Sequence, residues 1–157
     1  MTAPSPESRR GWYGSFDLTS PATFTYFTDE SLRFADLDRN GHVNNVAFTT
    51  FFENTRVRYL TDVFNVAEGA MGFVLAHLSI DYLAQLFYPG TIRSGIRLVE
   101  VRKSSVVLGQ AVFRDGRACA AGHSVMVTID RTTGRALPFE PALRARLDAL
   151  VGRPVPA

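Results

Sequence analysis

The chain lacks the features that mark several classes of protein. Among its 157 residues there is one cysteine, Cys119, so a framework of internal disulfides is excluded. We expect Cys119 to be a buried, unreactive thiol. No apolar run approaches the ~18 residues that a membrane-spanning helix needs, and the first residues lack the apolar stretch of a secretory signal. These absences predict a cytoplasmic protein with no membrane span.

A large excess of charge of one sign is also missing. The 17 basic residues are nearly matched by 15 acidic ones, and the formal net charge of +2 does not favour a nucleic-acid partner. The sequence has neither the Cys and His spacings of metal sites nor the glycine-rich runs that bind nucleotide phosphates. We therefore expect no metal and no nucleotide cofactor.

Apolar residues make up 46% of the chain, which is enough for one core of ordinary size. Residues 1–11 are rich in proline, serine and charge, a composition that predicts a flexible segment. The aromatic residues that follow suggest an arm that docks on its own domain or on a neighbouring subunit: Trp12, Tyr13 and Phe16. We assign residues 1–18 to a flexible N-terminal arm and residues 19–157 to a single folded domain.

The clearest helix is predicted over residues 45–63. Asn44 precedes it and can cap its first turn, because an amide oxygen accepts a hydrogen bond from a free backbone N–H. Side chains suited to burial against a sheet recur at spacings of three and four: Phe48, Phe51, Phe52, Thr55, Tyr59 and Val63. A strand is predicted upstream over residues 23–35, and a polar turn over residues 36–42 joins it to the helix.

Alternation with a period of two predicts the later strands, at residues 74–83, 91–101, 105–113 and 117–129. Asp115-Gly116 is typical of a two-residue hairpin turn, and residues 140–150 predict a short terminal helix. The predicted fold class is α+β, with an antiparallel sheet wrapped around one long central helix and the later strands in a meander.

The run D-L-D-R-N-G-H-V-N-N at positions 36–45, followed by E-N-T-R at positions 53–56 of the helix, resembles a known family. It is similar to the hotdog-fold acyl-CoA thioesterases of the 4-hydroxybenzoyl-CoA thioesterase branch, over residues 23–150. The resemblance implies a single hotdog domain, homodimers or homotetramers with active sites at the subunit interface, and acyl-CoA as the substrate. CoA would then be part of the substrate and not a bound cofactor.

Asp38, the second acid of this run, matches the family's catalytic aspartate. Its position ahead of a helix start agrees with this role, because a helix N-terminus offers unpaired N–H groups to a developing oxyanion. Asp38 would act as the nucleophile or as the general base that activates water, and both routes stay open. The alternative is an aspartate that stabilises a turn, which is how we interpret Asp36.

Other residues of the run have supporting roles. By the resemblance, the backbone N–H of Asn45 is the oxyanion donor. His42 is a further catalytic candidate, since an imidazole can act as a base near neutral pH. Gly41, Asn44 and Phe48 are candidate substrate contacts. Phe48 stands where relatives commonly have tyrosine, and its ring favours a lipophilic acyl chain or an aryl group.

A patch for the phosphates of CoA is predicted beyond the run. Arg93 and Arg97 share one face of a strand, and Lys103 and Ser104 follow its end. Guanidinium and ammonium groups suit phosphate oxygens. The alternative is a strand face that is simply solvated.

Two other groupings have structural interpretations. Glu53 is a rival carboxylate, but it lies about 12 Å along the helix from its start at 1.5 Å per residue. We predict that it pairs with Arg56, three residues on. The second grouping shares one strand face, where side chains do not converge as a hydrolase triad requires: His77, Ser79 and Asp81.

Three alternatives to an acyl-CoA thioesterase make different demands on the sequence. A thioesterase acting on acyl carrier protein would need a larger basic docking surface. A non-catalytic protein that binds acyl thioesters would need no carboxylate near the thioester, which Asp38 argues against. A dehydratase would need a histidine on the helix opposite the acid, and the helix has none.

Overall fold

The structure, a computed structural model, describes residues 11–64 and 71–151. Five antiparallel strands form its main sheet: β3 (Tyr26–Ser31), β4 (Met71–Tyr82), β5 (Thr91–Val101), β6 (Ser105–Arg114) and β7 (Arg117–Asp130). Their spatial order is β3-β5-β6-β7-β4, so β3 and β4 are the edges. The helices are α1 (Asn45–Asp62) and α2 (Pro141–Leu150), and a short hairpin of β1 (Trp12–Tyr13) and β2 (Phe16–Asp17) precedes the sheet.

The long helix begins where its capping residue predicts. The side-chain oxygen of Asn44 accepts a 2.9 Å hydrogen bond from the N–H of Val46, which satisfies one of the free donors of the first turn. Phe48, Phe51 and Phe52 are buried against residues of the sheet. Each such burial contributes about 1.5–3 kcal/mol. The predicted α+β fold, a sheet wrapped around a central helix, is confirmed.

The strand order corrects one expectation. β5, β6 and β7 do form a meander, and the predicted turn between β6 and β7 is confirmed by positive φ at Asp115 (51°) and Gly116 (77°). β4, however, pairs with β7 and not with β5, which follows it in the chain. The strand after the helix therefore closes the far edge of the sheet.

The first predicted strand is shorter than expected. Two 3₁₀ turns, Pro21–Thr23 and Phe34–Asp36, take up the ends of the predicted range, and β3 lies between them. Proline at the start of the first turn cannot donate to a strand ladder. Asp36 at the end of the second caps it with its carboxylate.

From Gly11 onward, the segment assigned to the N-terminal arm includes the β1–β2 hairpin. The β1–β2 hairpin packs on the face of the sheet opposite α1, where Tyr13 and Phe16 join a cluster around Leu18, which is 1% exposed. The expectation that these aromatics dock on their own domain is thus confirmed for Tyr13 and Phe16. Residues 1–10 lie outside the described part of the chain. Neither α1 nor α2 has the length and apolar character to cross a membrane.

Candidate active site

The turn before α1 is held in a defined shape by backbone hydrogen bonds. Leu37 and Val43 form an isolated antiparallel bridge, and the N–H of Asp38 donates to the His42 carbonyl at 3.0 Å. The N–H of Gly41 closes the tip by donating to the Asp38 carbonyl at 3.1 Å. Gly41 has φ +79°, a left-handed conformation that glycine adopts without strain.

Asp36 connects this turn to Arg33 before it and to the start of α1 after it. Its buried carboxylate accepts hydrogen bonds from the Arg33 N–H at 2.8 Å and from the Arg33 guanidinium at 2.8 Å. Its carbonyl accepts from the N–H of Asn44, the capping residue of α1, at 2.8 Å. Asp36 therefore ties the turn to the start of the helix, in agreement with the structural role expected for it.

Asp38 has a different environment. One carboxylate oxygen accepts from the Asn40 N–H at 2.7 Å, and the other lies 3.5 Å from Nδ1 of His42. The side chains of Asp38 and His42 keep 23% and 27% of their accessible surface. The carboxylate is thus oriented by its own turn and by the imidazole while it remains accessible to a ligand.

A pocket of about 370 Å³ opens beside this carboxylate. Its lining combines both predicted catalytic side chains with the first turn of α1 and the end of β4: Asp38, His42, Val43, Asn45, Phe48, Tyr82, Leu83, Ala84 and Gln85. Four of the candidates from the sequence, Asp38, His42, Asn45 and Phe48, are therefore brought together. Gly41 and Asn44 lie in the adjoining turn and do not line the pocket.

The first turn of α1 has one donor left for a ligand. The N–H of Val46 goes to the Asn44 side chain, and the N–H of Ala47 goes to the Asn44 carbonyl at 2.9 Å. Within the described residues, the N–H of Asn45 has no hydrogen-bond partner. A helix N-terminus with a free N–H favours a negatively charged oxygen, so this position can hold an oxyanion.

Tyr82 is among the pocket residues that the sequence analysis did not identify. Its phenol donates a 3.2 Å hydrogen bond to the Asn45 carbonyl, and its ring lies edge-on to Phe48 at 5.5 Å. The available signal was strand parity, which places alternate residues on one face. A β-bulge between Leu75 and His77 shifts that parity. Tyr82 lies beyond the bulge and keeps the alternation of Leu78 and Ile80, which pack against the core.

The predicted phosphate patch is not assembled beside this pocket. Arg93 lies 3.6 Å from Asp29 and over the ring of Phe27, on the outer face of the sheet. Arg97 is buried beneath the N-terminal hairpin, where it donates to the Thr23 carbonyl at 2.6 Å. Burial lowers the pKa of Arg97. The N-terminal hairpin therefore separates the Arg97 guanidinium from the pocket of Asp38.

Lys103 and Ser104 lie at the turn between β5 and β6. The Lys103 carbonyl accepts from Phe139 N–H at 3.1 Å, and the Ser104 carbonyl accepts from Thr128 N–H at 2.8 Å. Neither residue lines the pocket of Asp38. The four predicted phosphate contacts are thus not brought to the catalytic candidates.

Glu53 and Arg56 do not form the predicted ion pair at contact distance, although the Glu53 carboxylate acts electrostatically on the Arg56 guanidinium. Glu53 is exposed, whereas Arg56 is 5% exposed and donates to the side-chain oxygen of Gln110 at 3.3 Å. Burial lowers the pKa of Arg56. Gln110 in turn accepts from the Ser124 hydroxyl at 2.8 Å and donates to the Phe52 carbonyl at 2.8 Å. Arg56 therefore belongs to a buried polar network that joins α1 to the sheet.

The positions of Cys119 and Asp81 agree with the structural interpretations expected for them. Cys119 is buried, and burial raises the pKa of its thiol, so it is not a ready nucleophile. Asp81 accepts from the Gly11 N–H at 2.8 Å on the outer face, away from any triad geometry. Within residues 11–64 and 71–151, no three His, Cys, Asp or Glu side chains are grouped to hold a metal ion.

Comparisons with known proteins show the family to which the chain belongs. The family model of the thioesterase-like superfamily matches residues 32–147. A thioesterase from Thermus thermophilus, solved with coenzyme A and Zn, is 34% identical over 84% of this chain and 98% of its own, with a TM-score of 0.73.

Two further relatives support the match. The PA5185 protein of Pseudomonas aeruginosa strain PAO1 is 32% identical over 84% of this chain and 95% of its own, with a TM-score of 0.76. The uncharacterized protein YsmA of Bacillus subtilis (strain 168) is 30% identical over 74% of this chain and 81% of its own length. The chain therefore belongs to the thioesterase-like superfamily and is a thioester hydrolase with the hotdog fold.

Proposed function

We propose that the protein hydrolyses the thioester bond of a fatty or aromatic acyl-CoA, with Asp38 as the central catalytic carboxylate. The observation that supports this most directly is that Asp38 and Asn45 line one pocket, and that the N–H of Asn45 has no hydrogen-bond partner among the described residues. Thioester hydrolysis needs a nucleophile or base on one side of the carbonyl and a donor for its oxygen on the other.

The proposed reaction begins with the thioester carbonyl oxygen at the Asn45 N–H. The partial positive charge of the helix N-terminus stabilises the oxyanion as it develops. In one route Asp38 attacks the carbonyl carbon, the C–S bond breaks, CoA leaves as its thiolate, and water hydrolyses the resulting acyl-enzyme. In the other route Asp38 removes a proton from the attacking water.

His42 is proposed to orient Asp38. Its Nδ1 lies 3.5 Å from the carboxylate oxygen that does not accept from Asn40. This contact restricts rotation of the carboxylate, so that one oxygen is directed at the pocket. Precise placement of a reacting group accounts for a large part of enzymatic rate enhancement.

The proposed substrate class is supported by the pocket lining and by one relative. Val43, Phe48, Leu83 and Ala84 give the pocket an apolar wall, which suits a lipophilic or aryl acyl group. The Thermus thermophilus thioesterase was solved with coenzyme A, which supports CoA as the thiol carrier. A non-catalytic acyl-binding protein would have no use for a carboxylate oriented beside the thioester.

A homo-oligomer is part of the proposal. β4 is an edge strand, and Val74 and Leu75 on it are 41% and 44% exposed. Val57 on α1 is also exposed, at 56%. An exposed apolar edge strand is a ready surface for pairing with another chain. Sedimentation equilibrium of the full chain is expected to give a dimer or tetramer, and a monomer at micromolar concentration would contradict this.

The test is thiol release from short, medium, long-chain and aromatic acyl-CoAs, with matched acyl carrier protein substrates beside them. Asp38→Asn is expected to lower kcat by ~100-fold or more, as for a central acid–base group. Glu53→Gln is the matched control, because Glu53 is an exposed carboxylate of α1 outside the pocket.

Each result separates the candidates. A preference for acyl carrier protein substrates would assign the other carrier. Tight binding of acyl-CoA without turnover would assign a binding protein. An Asp38→Asn variant as active as the wild type would move catalysis to a different acid.

A further inference from the structure

The tip of the β6–β7 hairpin places two arginines side by side. Arg114 and Arg117 flank the two-residue turn and are direct partners across the strand pair. Like charges directly opposite each other in an antiparallel pair are destabilising. The one carboxylate within ion-pair distance of this pair, among the described residues, is Asp115, which lies 3.9 Å from Arg114 and is 95% exposed.

The two guanidinium groups have different surroundings. Arg114 donates to the carbonyls of Phe87 and Pro89, the latter at 2.9 Å, and so fixes the loop after β4. Those two bonds leave three of its five N–H donors. Arg117 is exposed and makes no side-chain hydrogen bond or ion pair within residues 11–64 and 71–151. At the hairpin tip, the Arg114 guanidinium is therefore held by backbone carbonyls, whereas the Arg117 guanidinium is available to a ligand.

Both arginines line a pocket that adjoins the candidate active site. This second pocket has a volume of about 340 Å³, and its lining includes the Ala84–Gln85 segment. The same segment lines the pocket of Asp38. Gln85 is exposed. A ligand that extends out of the Asp38 pocket across Gln85 therefore arrives at Arg114 and Arg117.

Given the proposed function, we infer that Arg114 and Arg117 bind a phosphate of the thiol carrier while the thioester lies beside Asp38. The ligand chemistry is a phosphorylated pantetheine, which is common to CoA and to the prosthetic arm of acyl carrier protein. Guanidinium groups bind phosphate oxygens through paired, charge-assisted hydrogen bonds. A bound phosphate would also neutralise the like-charge pair at the hairpin tip.

This position differs from the patch that the sequence suggested. Arg93 is outside both pockets that adjoin Ala84 and Gln85, and Arg97 is covered by the N-terminal hairpin. Arg114 and Arg117 lie on either side of the turn Asp115-Gly116, and they meet only because that turn is tight. The two arginines therefore lie side by side because of the register of the β6–β7 hairpin.

The experiment compares three thioesters with one acyl group: acyl-CoA, acyl-4′-phosphopantetheine and acyl-pantetheine, which has no phosphate. Arg117→Ala is expected to raise KM for acyl-CoA about tenfold with little change in kcat, as for the loss of one charge-assisted contact. The rise is expected to vanish with acyl-pantetheine. Arg117→Lys, which keeps the charge, is expected to restore part of the affinity, and Arg135→Ala, at an exposed arginine outside both pockets, serves as the control.

The acyl-4′-phosphopantetheine substrate identifies which phosphate Arg117 contacts. An equal rise in KM for acyl-CoA and acyl-4′-phosphopantetheine places the contact at the phosphate shared with acyl carrier protein, whereas a rise confined to acyl-CoA places it at the nucleotide phosphates. An unchanged KM for acyl-CoA in Arg117→Ala, or an equal rise with acyl-pantetheine, overturns the inference.

A binding measurement keeps the test independent of turnover. Calorimetry of CoA with the wild type and with Arg117→Ala is expected to give about tenfold weaker binding in the variant. If the wild type binds CoA but hydrolyses no thioester, the proposed function fails while the phosphate contact is still tested. If the wild type binds no CoA, or both proteins bind it equally, the phosphate contact is ruled out.

Discussion

The phenol of Tyr82 donates a 3.2 Å hydrogen bond to the carbonyl of Asn45 and so joins the last residue of β4 to the first residue of α1. Asn45 also presents the free N–H proposed to hold the oxyanion. The strand that closes the far edge of the sheet thereby fixes the helix start that forms one wall of the pocket. Tyr82 is a positioning residue in this arrangement, because it acts through Asn45.

Tyr82→Phe is expected to lower kcat about tenfold and to leave KM nearly unchanged, since the ring that lines the pocket is kept. The measurement is steady-state kinetics on the preferred acyl-CoA, with thermal unfolding alongside. Tyr26→Phe is the matched control, because the Tyr26 hydroxyl donates to Asp62 at the opposite end of α1 at 2.6 Å. Equal losses of activity in both variants would contradict a specific role for Tyr82.

Local patterns account for most of the fold. Asn44 predicts the start of α1 because capping depends on one side chain and its nearest backbone neighbours. Asp115-Gly116 predicts the β6–β7 turn for the same reason. Asp38, His42 and Asn45 are candidates by their places in one motif, and all three line one pocket. These features need no knowledge of distant parts of the chain.

The rest depends on contacts between distant residues. Strand alternation places Arg97 on a face expected to be exposed. It is buried because the N-terminal hairpin covers that face, with the centre of the Phe16 ring 4.0 Å from the guanidinium carbon of Arg97. The position of Tyr82 beside the start of α1 depends on the pairing of β4 with β7 at the far edge of the sheet. Strand periodicity carries no information on either.

The buried network around Arg56 gives a prediction about stability. Gln110→Leu is expected to destabilise the protein by about 1–3 kcal/mol, because the buried guanidinium and the Ser124 hydroxyl lose their acceptor. Arg56→Met is expected to cost less, because it removes the charge that needs the acceptor. Urea unfolding of both variants and of the double variant measures the coupling.

The double variant should be more stable than the sum of the two single losses predicts, since the residues share one network. If Gln110→Leu is neutral and Arg56→Met strongly destabilising, then packing of the Arg56 side chain matters more than its hydrogen bond.

Gly122 on β7 is expected to tolerate no side chain. A Cβ built there would overlap the carbonyl oxygen of Ser79 on the paired strand β4, and backbone cannot move aside as a side chain can. Gly122→Ala should therefore cost about 3 kcal/mol or more, in the upper range for point substitutions. Gly72→Ala is the control, because its nearest neighbour is the flexible side chain of Arg131.

Denaturant unfolding followed by circular dichroism would measure both glycine variants. If Gly122→Ala unfolds at the same urea concentration as Gly72→Ala, β4 and β7 do not approach each other as closely as the structure has them.

His123, which lies against the docked N-terminal hairpin, is expected to make the stability of the protein depend on pH. Its ring lies 4.4 Å from Tyr13 of that hairpin and 5.0 Å from His77, and Asp81 and Arg102 are the charged groups nearby. Burial, and next the repulsion from His77, lower the pKa of His123. The folded protein consequently binds a proton at this position less readily than the unfolded chain does.

The sign of the effect follows from linkage. A histidine whose pKa is lowered by folding stabilises the protein above its unfolded pKa of about 6.5, and this stability is lost as the pH falls below that value. Urea unfolding at pH 7.5 and 5.5 should give a smaller difference in stability for His123→Gln than for the wild type. His77→Gln should reduce the difference only in part, because the burial of His123 remains. An unaltered pH dependence of stability in His123→Gln would mean that other titratable groups cause it.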